Sequence, residues 1–79
     1  MRSKILFFGA TADAVGAREL EVEIDEDSKV NVVLETLAKA HPKLLSYNLL
    51  VAINEEYVAG DTPLKHGDEL AIFTAVSGG

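Results

Sequence analysis

The chain has 79 residues, a net charge of −6 and no cysteine. This length predicts a single domain. The missing cysteines exclude a disulfide framework, a thiolate metal site and a cysteine nucleophile. The acidic charge argues against a nucleic-acid-binding protein, which needs a basic face. A domain this small is not expected to hold a deep active site of its own, so composition favours a carrier, an adaptor or a subunit.

The start of the chain predicts neither export nor membrane insertion. A short apolar run, residues 5–8, follows the first four residues. A secretory signal needs roughly 7–15 apolar residues and a membrane span about 20. We therefore expect a cytoplasmic protein without membrane contact.

Two strands are predicted in the first 24 residues. Residues 4–8 are short, β-prone and bounded by Gly9, which is typical of a strand with two apolar faces. Residues 18–24 alternate glutamates with apolar side chains, which predicts a strand with one face in water. Residues 10–17 between them are predicted to form a loop.

An amphipathic helix is predicted next. Its apolar residues recur at the spacing i, i+3, i+4, i+7 and i+8: Val30, Val33, Leu34, Leu37 and Ala38. Such a stripe is typical of a helix that packs on a core. Asn31 is the predicted N-cap, and Pro42 ends the helix because proline disfavours helical geometry at His41.

The second half of the chain predicts three more strands, at residues 49–53, 57–58 and 69–73. The order β-β-α-β-β-β, with one main helix packed across one mixed sheet, predicts a two-layer α+β domain. We assign residues 1–73 to this domain. Residues 74–79 are predicted to form a flexible C-terminal tail that ends in Gly-Gly.

Side-chain alternation predicts an apolar patch on the outer face of the sheet. If Leu70 and Ile72 pack under the helix, Phe73 points to the opposite face, and the same alternation turns Leu6 and Phe8 outward. These outward residues lie together if the first and last strands are neighbours. Contiguous exposed apolar surface on a small domain is typical of a partner site, although scattered exposed apolar residues are normal.

The strongest candidate for chemistry is the final pair, Gly78 and Gly79. Glycine has no Cβ, so its backbone can enter a narrow channel of another protein. A terminal α-carboxylate is ionised at neutral pH and can attack the α-phosphate of ATP in an activating enzyme. The six residues from Thr74 onward span at most about 20 Å, which is enough to reach a neighbouring subunit. A frayed, inert end is the alternative interpretation.

The other titratable residues predict no site. His41 and His66 lie on different elements and lack the i, i+4 partner of a helical metal site. Asp61, Asp68 and Glu69 lack the spacing of a calcium loop. The sequence contains no phosphate loop and no dinucleotide motif. We expect neither a metal nor a bound cofactor.

Six segments together carry a family resemblance. They are residues 5–10 (ILFFGA), 41–42 (HP), 51–58 (VAINEEYV), 61–64 (DTPL), 67–71 (GDELA) and 76–79 (VSGG). In this order and spacing they resemble the MoaD-like sulfur carriers, the small subunits of molybdopterin synthase, which have the ubiquitin-like β-grasp fold. Thr74-Ala75 stand where the family usually has two prolines, and residues 10–17 lack its usual Arg-Glu pair.

The resemblance implies that Gly79 carries sulfur. An adenylating enzyme related to the ubiquitin activators uses ATP to form an acyl-adenylate on Gly79, and sulfur then replaces AMP to leave a thiocarboxylate. The carrier docks on the large catalytic subunit in an assembly of two small and two large subunits. The sulfur passes to cyclic pyranopterin monophosphate and builds the molybdopterin dithiolene, with acid–base groups supplied by the large subunit.

The resemblance also implies roles for other residues. Phe8 and Phe73 lead the docking face, with Leu6 beside them, and Gly78 gives clearance next to the reacting group. The segment inserted into the partner consists of Thr74, Ala75, Val76, Ser77 and Gly78.

Three alternatives stay open. The first is a sulfur carrier for the thiazole of thiamine or for a thiolated tRNA base, with the same chemistry at Gly79. The second is a ubiquitin-like protein modifier, with Gly79 joined to a lysine amine. The third is a binding module whose tail is inert.

Overall fold

The computed structural model describes residues 1–74 and forms a five-stranded mixed sheet with helices. The elements in chain order are β1 (Arg2–Phe7), α1 (Ala10–Val15), β2 (Glu19–Glu23), α2 (Val30–Ala40), a 3-10 helix (Pro42–Ser46), β3 (Leu49–Ile53), β4 (Glu56–Tyr57) and β5 (Glu69–Thr74). The strand order is β2-β1-β5-β3-β4. Strands β1 and β5 are parallel neighbours at the centre, and the other pairs are antiparallel.

The core lies between α2 and one face of the sheet. The stripe of α2 contributes Val30, Val33 and Leu37, which pack in one cluster with Ile5 of β1 and Ile72 of β5. The predicted two-layer α+β architecture with one main helix is therefore confirmed. Within residues 1–74, neither α1 nor α2 has the length and apolar content that a membrane crossing requires.

Two short helices differ from the prediction. Residues 10–17 were predicted as a loop, but Ala10–Val15 forms α1 and buries Thr11. Pro42–Ser46 forms a 3-10 helix that begins at the predicted end of α2 and buries Leu44. Neither segment is long enough to show a helical stripe, so periodicity gives no signal for it.

The N-terminus of α2 also corrects the prediction. Lys29 occupies the N-cap position without a side-chain cap, so the assignment of Asn31 as N-cap is wrong. Backbone carbonyls in the loop before β5 accept hydrogen bonds from the first N–H groups of α2 instead. The Val30 N–H donates to the Thr62 carbonyl at 3.0 Å and the Asn31 N–H to the Gly60 carbonyl at 2.8 Å. Tertiary contacts thus replace a side-chain cap.

Gly16 ends α1 in a left-handed conformation. Its φ is 83°, and its N–H donates to the Ala12 carbonyl at 2.8 Å. Because a Cβ is unfavourable at this φ, we expect Gly16→Ala to lower the free energy of unfolding by about 1 kcal/mol in urea denaturation. Gly16→Asn should lose less, since asparagine tolerates the left-handed region. Equal losses in both variants would contradict a conformational cause.

Candidate docking face and C-terminal tail

Three aromatic rings form a cluster on the outer face of the sheet, opposite α2. The rings of Phe8 and Phe73 stack with centroids 5.0 Å apart and planes at 11°. Tyr57 lies 5.9 Å from Phe73 at 52°. Phe8 is 46% exposed and Tyr57 is 73% exposed. We call Phe8, Tyr57 and Phe73, with Leu6 and Leu50 beside them, the aromatic face.

The pairing of β1 with β5 explains why these residues meet. Leu6 pairs with Ala71, so Leu6 and Phe8 lie next to Phe73 on the same side of the sheet. The prediction that Leu6, Phe8 and Phe73 share one face is confirmed, while their role in docking stays a prediction. Tyr57 was missed, because the two-residue strand β4 is too short to reveal which way its side chains point.

A row of cross-strand neighbours creates a groove within the aromatic face. Ala71 of β5 pairs with Leu6 on one side and with Ala52 on the other, and Ala52 pairs with Tyr57. Two alanines therefore lie between larger side chains. The resulting groove has a volume of about 290 Å³ and is also lined by Phe73.

Thr11 fixes the backbone beneath the stacked rings. Its side chain is fully buried. The hydroxyl lies 2.7 Å from the Phe8 carbonyl and 3.0 Å from the Ile72 carbonyl and shares its proton between them. The Phe8 N–H also donates to the Ile72 carbonyl at 3.1 Å. Helix α1 therefore joins the end of β1 to β5 where Phe8 and Phe73 stack.

We expect Thr11→Val to lower the free energy of unfolding by about 1 kcal/mol, because the shared hydrogen bond is lost while the side-chain volume is kept. The matched control is Thr36→Val. The Thr36 hydroxyl donates to the Val32 carbonyl at an exposed position on α2, so this change should stay within about 0.5 kcal/mol. Chemical denaturation measures both, and equal effects would contradict a special role for the buried hydroxyl.

Charged residues border the aromatic face on the β2 side. Lys4 lies 3.6 Å from Glu19 and 3.9 Å from Glu69, and Arg2 lies 3.6 Å from Glu21. All five side chains are well exposed, so each pair contributes little to stability. These ion pairs give this half of the sheet a solvated, charged surface.

A further ion pair lies outside the aromatic face. Lys65 pairs with Asp27 and so joins the loop before β5 to the turn after β2. The hydrogen bond to Asp27 and its negative charge raise the pKa of Lys65, which stays protonated at neutral pH. Within residues 1–74, no group of three or more histidines or carboxylates is arranged to hold a metal ion.

Strand β5 carries the chain from the aromatic face toward the predicted tail. Thr74 belongs to this strand and pairs with Leu49, so the strand extends one residue beyond the predicted boundary at 73. The other predicted tail residues lie outside the described residues: Ala75, Val76, Ser77, Gly78 and Gly79. Their assignment as an inserted segment, and Gly79 as the reacting group, stay predictions.

A mixed five-stranded sheet under one main helix, with an aromatic face beside the last strand, defines a small ubiquitin-like β-grasp domain. Among the described residues it has an exposed aromatic face and no metal-binding cluster. The chain belongs to the ThiS family, whose model matches residues 5–79.

Curated relatives match over nearly their whole length. The molybdopterin synthase sulfur carrier subunit of Chlamydomonas reinhardtii is 34% identical over 83 residues, covering 100% of both chains. That of Haemophilus influenzae is 35% identical and covers 95% of this chain and 96% of its own. Small archaeal modifier protein 1 of Haloferax volcanii is 35% identical and covers 91% and 94%.

Solved structures agree with this fold. A putative molybdopterin converting factor, subunit 1, from Pyrococcus furiosus superimposes with a TM-score of 0.86 at 27% identity, covering 96% of this chain and 99% of that chain. The crystal structure of the Haloferax volcanii modifier has a TM-score of 0.84 at 32% identity, with both chains fully covered. The predicted β-grasp fold and the resemblance to MoaD-like carriers are confirmed.

Proposed function

We propose that this chain is the sulfur-carrier small subunit of a molybdopterin synthase. The observation that carries this proposal is the similarity to curated sulfur carrier subunits over the whole length of the chain. In this proposal Gly79 is the C-terminal residue of the mature protein, and its thiocarboxylate donates sulfur to cyclic pyranopterin monophosphate. The transfers build the dithiolene of molybdopterin.

The chemistry at Gly79 takes two steps. The carboxylate attacks the α-phosphate of ATP in an activating enzyme, pyrophosphate leaves, and an acyl-adenylate forms. A sulfur nucleophile then displaces AMP and leaves the thiocarboxylate. The chain itself binds no cofactor in this proposal, because ATP is held by the activating enzyme. Since loading consumes ATP, we place the carrier in the cytoplasm.

The aromatic face is the proposed contact with the large catalytic subunit, in an assembly of two small and two large subunits. Exposed, stacked rings are typical of interface centres, where aromatic residues are enriched. The face also lies beside Thr74, which is the first residue of the proposed inserted segment and the last described residue. Docking here therefore brings that segment close to the partner. The chain supplies sulfur and an interface, while the acid–base groups belong to the large subunit.

Intact-mass spectrometry tests the loading step. After incubation with ATP, an activating enzyme and a sulfur source, the protein should gain about 16 Da, because sulfur replaces one carboxylate oxygen. The starting mass also shows whether Gly79 is the last residue. An unchanged mass with active enzymes would contradict the proposal. Rescue of molybdoenzyme activity in a strain lacking its own carrier tests the pathway, and a loaded protein that fails to rescue would indicate sulfur transfer to thiamine or tRNA.

A second function is favoured by a specific similarity. Small archaeal modifier protein 1 is as similar in sequence as the sulfur carrier subunits are, at 35% identity. A modifier would use the same acyl-adenylate, with a lysine amine as the final nucleophile. Isopeptide-linked adducts of Gly79 in cell extract would support this function. Their absence, together with thiocarboxylate formation, would favour the sulfur carrier.

A further inference from the structure

The groove in the aromatic face combines apolar walls with carboxylates. Ala52 and Ala71 form its floor. Its walls and rim are formed by Leu6, Phe8, Tyr57, Phe73, Glu55 and Glu69. A purely apolar side chain would fill the floor but would remove water from the two carboxylates without pairing them, which is unfavourable.

The two carboxylates differ in how they are already paired. The Lys4 amine lies 3.9 Å from the carboxylate of Glu69 in β5 and 3.6 Å from that of Glu19, so these two carboxylates share one cation. Within residues 1–74 no cationic group lies within 4.0 Å of the Glu55 carboxylate. Glu55 lies in the β3–β4 turn, where it has a φ of 73°. The groove rim therefore carries uncompensated negative charge.

We propose that this groove receives an arginine side chain of the docking partner. This inference rests on the proposed function, in which the partner is the large subunit. The methylene stem of arginine lies along the alanine floor, as long cationic side chains do on apolar surface. The flat guanidinium stacks against the ring of Tyr57 or Phe73 and reaches the carboxylates of Glu55 and Glu69. A lysine ammonium lacks the planar group that matches such walls.

The charge and shape of the groove both support this occupant. Four residues on neighbouring strands fix the floor and walls through backbone pairing: Leu6, Ala71, Ala52 and Tyr57. The groove is also continuous with the Phe8–Phe73 stack that we propose as the docking contact. An arginine here adds orientation to a contact that aromatic burial alone would leave imprecise.

Nuclear magnetic resonance with the full-length protein tests the proposal. The probes are N-acetyl-arginine amide, its neutral isostere N-acetyl-citrulline amide, and N-acetyl-norleucine amide. We expect the arginine probe to shift the backbone amide resonances of Ala52, Ala71 and Phe73. Its affinity should exceed that of the citrulline probe by about threefold or more, as for an exposed ion pair supplemented by ring stacking. Added salt should reduce the difference.

A matched pair of variants isolates the carboxylate. Glu55→Gln should weaken the arginine probe by about threefold, the scale of an exposed ion pair. Glu56→Gln removes the same charge one residue along, where the side chain pairs opposite Ile53 and does not line the groove. It should leave the affinity unchanged. Equal weakening in both variants would reduce the effect to net charge and overturn the proposal.

Two other results would also overturn it. Norleucine binding as tightly as arginine would show that the groove takes any apolar side chain. Concentration-dependent shifts of the same amides without a probe would show that a second copy of the chain occupies it. None of these measurements uses the chemistry of Gly79. A groove that does not bind the arginine probe would therefore leave the proposed sulfur loading standing, and a protein that does not load sulfur would still give a clear result for the groove.

Discussion

Deletion of Gly79 is expected to abolish sulfur loading completely while the domain stays folded. The deletion leaves a carboxylate on Gly78, which ends about 3.5 Å short of the position that the activating enzyme must reach. Misplacement of a reacting group by even about 1 Å can cost a hundredfold in rate. Intact-mass spectrometry after incubation with ATP, activating enzyme and sulfur source should show no gain of about 16 Da.

Two controls separate loss of the reacting group from loss of the fold. The buried core ends at Ile72 among the described residues, so the deletion should leave the urea midpoint unchanged. Gly79→Ala keeps the carboxylate at its position and adds only a Cβ, so it should retain more loading than the deletion and report on steric clearance. A deletion variant that still gains the sulfur mass would place the chemistry elsewhere and remove Gly79 from it.

Alternation along the central strands predicted the aromatic face correctly, because one face of each strand is buried. Ile5 and Ile72 lie in the core, so their neighbours Leu6 and Phe73 must point outward. The sequence could not place Tyr57, since two residues of β4 have no pattern to interpret. Its position depends on the β3–β4 pairing opposite Ala52, a tertiary contact.

The ends of helices were predicted less well, for a related reason. Local preference favoured Asn31 as a cap, whereas carbonyls of Gly60 and Thr62 accept the first N–H groups of α2. These acceptors are about thirty residues away along the chain, and no local signal describes them. Thr11 was missed for a related reason. Its Phe8 acceptor is local, but its Ile72 acceptor comes within reach only when β1 and β5 pair.

Phe73→Asp is expected to weaken binding to the large subunit by about 2 kcal/mol or more, roughly thirtyfold in Kd. Phe73 lies between Phe8 and Tyr57, with ring centroids at 5.0 Å and 5.9 Å. The substitution therefore removes the middle ring of the cluster and puts a carboxylate into a contact that buries apolar surface, at a cost in desolvation. Isothermal titration calorimetry with the purified large subunit measures the effect.

Leu45→Asp is the matched control for charge. Leu45 is 76% exposed on the 3-10 helix, which packs with α2 on the opposite side of the sheet. The Leu45→Asp variant adds the same charge at an exposed apolar position. Its Kd for the large subunit should therefore stay within about twofold of that of the unchanged protein. Comparable weakening in both variants would mean that the partner responds to net charge and not to the aromatic face.

Phe73→Leu separates the ring from mere apolarity. Leucine preserves apolar surface on β5 but loses the stack with Phe8 and the contact with Tyr57. An aromatic pair contributes about 0.5–1.5 kcal/mol beyond its buried area. We therefore expect the affinity of Phe73→Leu for the large subunit to lie between those of the unchanged protein and Phe73→Asp. Unchanged affinity in a folded Phe73→Asp variant would remove Phe73 from the interface. Normal binding by Phe73→Leu would instead leave the aromatic face as the interface and show that its binding energy comes from apolar burial alone.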